Sequence, residues 1–246
     1  DPVARVGLFD VTSAPARRNG ASVRGLRVTF LLPFPTPVGG VQVVFRHARF
    51  LRSRGHEVKV VWPRPRLGPF WTQAGRTTWR SWLRTRMVDH PGKDLARYGL
   101  GDCAGPIDPP IASGVPHADV VVATSFQTAE WMSECPATCG RKAYFLQGYE
   151  AYTSDLEPRV DATWRAPFAR IAVSQFLIDW GRQRLGVECG GPVTNGVDTA
   201  WCSPPANRSE SDRFVVGGVY DRIPGKGVED LIEVLHGVAR ARPRTR

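Results

Sequence analysis

The sequence predicts an α/β fold: a Rossmann-like, doubly wound parallel sheet followed by the first strand and helix of a second α/β domain. Three observations predict it. Short β-branched runs alternate with stretches of helical spacing. Strand, loop, helix and strand follow one another within about 40 residues, the length of a βαβ unit with its right-handed crossover. After residue 200 the composition breaks, and the strand-then-helix pattern starts again.

Leu26 through Leu32 reads as a strand, closed by Pro33 and a Pro/Gly-rich loop reaching Gly40. Val41, Val44, Phe45, Ala48 and Leu51 then recur at helical spacing, with Arg46, Arg49 and Arg52 on other faces. Gly55 stops that helix, and Val58 to Trp62 is the next strand. The unit repeats with Asp119 to Thr124 as a strand, a helix through Thr128 to Met132, and a strand from Lys142 to Gln147. Ile171-Ala172-Val173 leads through Ser174, an N-cap residue, into a helix bearing Leu177, Ile178 and Leu185. A short strand is expected to end near Thr194, with Asn195 and Gly196 in a turn of positive φ braced by Asp198.

The domain boundaries follow from these runs. Residues 1–25 have no apolar stretch of the secretory kind and read as a disordered leader. Residues 26–200 form the main domain, and 201–212, rich in Ser, Pro and Asn, form a linker. Residues 213–218 make a new strand, and Val228, Leu231, Ile232, Leu235 and Val238 mark one face of the helix behind it. One strand and one helix cannot bury their own faces, so 213–246 reads as the incomplete start of a second α/β domain. Self-association through residues 213–240 is the expected consequence.

Composition narrows the function classes. A 42% hydrophobic content suits an ordinary globular chain, and no run approaches the roughly 18 apolar residues of a membrane span. A cytoplasmic compartment is the expectation. The net charge of +10 comes almost entirely from Arg scattered along the chain. With no zinc-finger spacing, RNP-type motif or purely basic helix, no nucleic-acid partner is expected; Arg-rich codon usage accounts for the charge. A diffuse positive field still favours small anions such as nucleotide diphosphates, or acidic lipids. The five cysteines, odd in number and irregularly spaced, indicate neither a disulfide framework nor a metal site. Residues 70–86 interleave Trp with Arg, as an interfacial helix on the inner membrane face would. Gly75 and the paired Thr77-Thr78 favour the alternative, a Trp-rich flank packed on the domain.

Five segments carry the candidate chemistry. Val38-Gly39-Gly40-Val41-Gln42 joins the first strand to its helix; glycines there admit a phosphate or sugar that a Cβ would exclude, and the helix start offers unpaired N–H groups. The same residues also suit a plain tight turn. Gln147-Gly148-Tyr149-Glu150 follows a strand end, where Gln147 can donate and accept hydrogen bonds and Glu150 can accept them. Ala172-Val173-Ser174 and Asn195-Gly196-Val197-Asp198 are architectural marks. The fifth is Gly217-Gly218-Val219-Tyr220-Asp221-Arg222-Ile223-Pro224-Gly225-Lys226-Gly227.

Taken in order, these segments resemble the retaining GT-B glycosyltransferases, particularly the bacterial rhamnosyltransferase-like branch, across residues 26 to 240. The resemblance implies transfer of a hexosyl or deoxyhexosyl group from a nucleotide-sugar to a hydroxyl of a glycan, lipid-linked or small-molecule acceptor, with no other cofactor. It places Gly39, Gly40, Arg222 and Lys226 on the donor diphosphate, and Gln147 and Glu150 on the acceptor or transferred-sugar side. Two features depart from the pattern: Gln147 stands where many relatives carry His, and Asp221 takes the usual Arg position, with Arg222 one residue late. The resemblance further implies that residues 1–246 alone lack transfer activity. The alternative is a non-catalytic carbohydrate- or partner-binding α/β module. Nucleotide-sugar binding separates the two.

Overall fold

The computed structural model describes residues 25–64, 92–108, 111–196, 218 and 227–241. The chain divides into two units, Asp1–Asn195 and Gly196–Arg246. In the first, six strands form one sheet: β1 (Arg27–Leu31), β2 (Glu57–Pro63), β3 (Ala104–Ile107), β4 (Val120–Ala123), β5 (Arg141–Leu146) and β6 (Ala169–Ala172). Every neighbouring pair is parallel, and the order is β3-β2-β1-β4-β5-β6.

Two apolar layers hold the sheet. On one face, Val28, Phe30, Val58, Val60 and Trp62 pack with Val41, Val44, Phe45 and Ala48 of α1 (Gly39–Ser53) and with Leu95 and Tyr98 of α2 (Gly92–Tyr98). A short α3 (Ile111–Gly114) precedes β4. On the other face, Leu31, Val61, Val121, Ala123, Tyr144 and Leu146 meet three helices. These are α4 (Phe126–Glu134), α5 (Glu157–Arg165) and α6 (Gln175–Leu185). Alternate strand residues therefore feed opposite cores, as a doubly wound sheet requires.

Residue chemistry sets the element ends. Gly55 takes φ 87° after α1, and Gly186 takes φ 66° after α6, the left-handed conformation that ends a helix most readily at glycine. Ser174 caps α6 by accepting from the Leu177 N–H at 3.3 Å. Helix α2 and strand β3 had no sequence signal. Ala104-Gly105-Pro106-Ile107 is poor in strand formers, and Pro106 is tolerated because β3 lies at the sheet edge. Helix α5 opens on Pro158, which the first turn accepts because its missing N–H would have no helical partner.

Two expectations are corrected. Residues 191–196 form no strand; Val193 N–H bonds to Ala172 C=O at 2.8 Å, but the adjacent Pro192 has no N–H with which to extend a ladder. Neither Asn195 nor Gly196 takes positive φ. Asp198, the 201–212 linker and nearly all of the 213–218 strand lie outside the described residues.

In the second unit, α7 spans Val228–Ala241. Val228 is buried, Leu231 and Leu235 are half-buried, and Ile232 and Val234 are exposed. A Cβ on Gly218 would lie 2.1 Å from Leu231 Cδ2, so the bare glycine makes room for this helix. Among the described residues no helix is long and apolar enough to cross a membrane.

One polar knot fastens the sheet's centre. Thr128 Oγ1 accepts from the N–H groups of Thr124 and Ser125 at 2.8 and 2.9 Å and donates to Ser125 C=O at 2.8 Å. Thr124 Oγ1 donates to Leu31 C=O at 2.7 Å, joining β4 to β1. All three side chains are buried. Thr128→Val keeps the shape but orphans two enclosed N–H groups, so it should destabilise the fold by about 2–4 kcal/mol in urea unfolding.

Candidate functional site

The strand order reverses between β1 and β4, whose following helices, α1 and α4, lie on opposite faces of the sheet. In such sheets the crevice beyond the carboxyl ends of these two strands is where ligands collect. The knot at Thr124, Ser125 and Thr128 forms its floor and the start of α1 one wall.

Gly39 and Gly40 belong to the first helical turn of α1, not to a preceding loop, and neither takes positive φ. What matters at Gly40 is its missing side chain. A Cβ there would stand 3.3 Å from Gln147 Oε1 and 3.4 Å from Nε2, so the amide of β5's exit lies directly against the helix start. Nothing approaches within 4 Å of the corresponding point on Gly39. Val38, the N-cap, supplies no side-chain cap, and the first turn carries no acid. First-turn N–H groups have no partner within the helix, which leaves a partial positive charge suited to an anion.

Gln147 and Glu150 are both tied to the β4–α4 junction. Gln147 Nε2 donates to Thr124 C=O at 3.4 Å, and the Phe126 N–H donates to Glu150 Oε2 at 2.6 Å. The structure thus brings Gly40, Gln147 and Glu150 to one place, across the exits of β1, β4 and β5. Between them in sequence, Tyr149 anchors the segment. Its hydroxyl donates to Asp161 at 2.8 Å, and its ring lies 4.2 Å from Trp180 and 6.1 Å from Trp164. Burial and the Asp161 bond push that hydroxyl up to about 12. Trp164 packs so close to α6 that a Cβ on Gly181 would stand 2.8 Å from its ring.

Glu150 is the electrostatic exception. Enclosure of its carboxyl raises it to about 7, only partly offset by the Phe126 N–H. The residue nevertheless keeps some contact with solvent. Nearby, burial pushes the Tyr144 hydroxyl well above its ordinary value, with the Glu150 charge adding to the effect. Burial lowers His47, whose ring meets Phe145 edge-on at 5.2 Å on the α1 side of the sheet.

Thr124, Ser125 and Thr128 went unrecognised in the sequence. The signal was Ser125 followed three residues later by a hydroxyl residue, a capping box in which Thr128 replaces the usual acid or amide. Arg222, Lys226 and residues 70–86 lie outside the described residues. Cys135 and Cys139 are free and buried, and burial first of all lifts the Cys135 thiol to about 11, too high for a reactive nucleophile. Among the described residues no cluster of metal-ligating side chains occurs.

No protein-family model matches the chain, and no curated protein does. Solved structures do. Anabaena Alr3699/HepE in complex with UDP-glucose aligns with a TM-score of 0.59 at 16% identity, over 89% of this chain and 59% of that one. The same protein in complex with UDP and glucose gives 0.52 at 13% identity, over 90% and 68%. The chain therefore spans about 59% of the length of the first of these. The likeness is one of fold, and it confirms the Rossmann-like α/β class.

The raised Glu150 has a stability consequence. In the unfolded chain it titrates near 4.5, in the fold near 7, so folding favours the neutral form. Its contribution is fully present below pH 4.5 and is lost as pH rises through about 7. At 1.36 kcal/mol per unit the loss is roughly 3 kcal/mol. Glu150→Gln keeps an acceptor for Phe126 without the charge. It should match the wild type at pH 4 and exceed it by up to roughly 3 kcal/mol at pH 8 in urea unfolding. Equal differences at both pH values would contradict the burial.

Proposed function

We propose that this chain serves in a GT-B-type glycosyltransferase, transferring a hexosyl or deoxyhexosyl group from a nucleotide-sugar to a hydroxyl acceptor, and that it forms the acceptor side of the cleft. The observation that carries the reading is the meeting of Gly40, Gln147 and Glu150 at the β1/β4 reversal. The fold shared with a protein solved in complex with UDP-glucose supports it.

The chemistry fits the residues. An uncapped helix start at Gly39 and Gly40 suits the oxygens of a diphosphate, while Gln147 and Glu150 suit sugar hydroxyls, which need both donors and acceptors. Lys226 and Arg222 complete the reading as cations that neutralise the departing diphosphate. Retention of anomeric configuration belongs to the same proposal: the acceptor attacks on the face the diphosphate leaves, and the diphosphate stabilises the developing positive charge on the sugar. The same proposal includes contact with an inner membrane face through residues 70–86, a cytoplasmic site of action and self-association through 213–240.

The test is turnover of a nucleotide-sugar panel by the intact gene product, with product anomers read by NMR. Gln147→Ala should lower kcat/KM roughly 3- to 10-fold, the worth of one neutral hydrogen bond, with nucleotide affinity nearly intact. Collapse of nucleotide affinity instead would put Gln147 on the donor side.

A further inference from the structure

We propose that the outer face of α1, together with the exposed face of α2, docks on a bilayer surface rich in acidic headgroups. The inference is independent of the transfer reading and of residues 70–86. Within the first unit, charge is sorted by face. Helix α1 carries Arg46, Arg49 and Arg52 and no acid, and α2 carries Lys93 and Arg97 against Asp94 alone. On the opposite face of the sheet, α4, α5 and α6 together hold four arginines and five acids. The helical cations scattered along the sequence therefore gather, in the fold, on the α1 side.

Helical spacing lines up the residues that face solvent. Arg46, Arg49, Phe50, Ser53 and Arg54 recur at steps of three and four and are all exposed, whereas Val41, Val44, Phe45 and Ala48 enter the core. From Arg46 to Arg54 the stripe runs about 12 Å along the helix axis. It begins roughly 9 Å past Gly40, so stripe and crevice are separate stretches of one helix. Lys93 and Arg97, four residues apart and exposed, add to the cationic face from α2.

The surface is held firmly. Arg52 is committed elsewhere: it donates to Gly99 C=O at 2.6 Å and to the Asp102 carboxylate at 2.7 Å, which straps the end of α2 to α1. Beneath the strap, the Phe45 and Tyr98 rings meet at 5.7 Å. Docking therefore orders no loop, and its conformational cost is small.

The occupant follows from what lies among the cations. Phe50 is 57% exposed, and the Arg54 guanidinium stands 5.7 Å from its ring centre. A phosphate backbone or an acidic protein segment would use the charges and leave the ring in water. A bilayer uses both. Acidic headgroups meet the arginines, and the ring passes into the boundary between headgroups and acyl chains. Guanidinium suits the task because it can grip two phosphate oxygens at once. One ring and a few cations make the contact reversible and superficial.

The experiment is co-flotation of the intact gene product with vesicles of phosphatidylcholine alone or mixed with phosphatidylglycerol, across a series of salt concentrations. Binding should require phosphatidylglycerol and weaken as salt rises. Replacing Arg46, Arg49 and Arg54 together by Gln should lower the partition coefficient about 100-fold, at roughly 5-fold per cation. Phe50→Ala should lower it roughly 5-fold without changing the salt dependence. Arg184→Gln removes the same charge from α6, on the other face of the sheet, and should leave binding unchanged. A thermal midpoint equal to the wild type's shows each variant folded, and Arg49→Gln alone, with its roughly 5-fold loss, stands in if the triple variant is unstable. Equal losses from Arg49→Gln and Arg184→Gln reduce the effect to net charge and overturn the proposal. It is overturned equally by undiminished binding of the triple variant, or by no binding to either vesicle. Tighter binding to duplex DNA than to the vesicles at equal salt, unaffected by Phe50→Ala, also overturns it.

Discussion

The structure depends on a small set of hydrogen bonds where β1 meets β4. At that junction the chain sends one helix to each face of the sheet, just beyond the paired ends Leu31 and Ala123. Thr124 ties them by donating to Leu31 C=O, and Thr128 takes up the two N–H groups that would otherwise be orphaned. Buried polar groups are stabilising only when satisfied, and here a threonine and a serine cap satisfy one another with no water required. The result is a rigid crevice floor. The Thr124 carbonyl that accepts from Gln147 and the Phe126 N–H that donates to Glu150 both adjoin this knot.

Against that rigid floor stands a group the fold would be more stable without. A carboxylate that is enclosed and has one hydrogen-bond donor among the described residues is unfavourable when ionised, and the adjoining Tyr149 is held by Trp164 and Trp180. Elsewhere in the first unit, charges are placed cheaply. Arg27 meets Asp119, Arg52 meets Asp102 and Arg182 meets Glu188, all at the surface where such pairs cost little and contribute little. Glu150 is the contrast, and a carboxyl raised by enclosure beside a strand-order reversal is a pointer to function. The start of α1 sets partial positive charge on the same side of the sheet's strand ends.

Much of this was legible in the sequence, for reasons that differ by element. Strands β1, β2, β4 and β5 are interior to the sheet, are mostly buried, and read as largely apolar runs despite Thr29 in β1, Lys59 in β2 and Arg141-Lys142 opening β5. Edge strand β3 has Gly105 and Pro106 in four residues, and its pairing with β2 comes from tertiary placement rather than propensity. Gln147 and Glu150 were legible because they follow a strong strand signal. Gly39 and Gly40 were legible as residues but not in their place: the sequence reads as a glycine loop open to a phosphate or sugar, or a tight turn, whereas both open α1 and a Cβ on Gly40 would meet Gln147. The raised Glu150 was not legible at all. Its carboxyl is tied to the start of α4, 24 positions earlier, and it adjoins Tyr149, which packs on the distant Trp180; no local pattern encodes that.

Amide chemical-shift mapping shows whether ligands of this chain gather at the β1/β4 reversal. On adding UDP-glucose at millimolar concentration to the isotopically labelled protein, the largest shifts are expected at the Gly39, Gly40 and Val41 amides and the Gln147 side chain. Smaller shifts should appear at Phe126. Shifts concentrated at the amino ends of the strands, around Gly55 and Gly140, or none at saturating ligand, would contradict it.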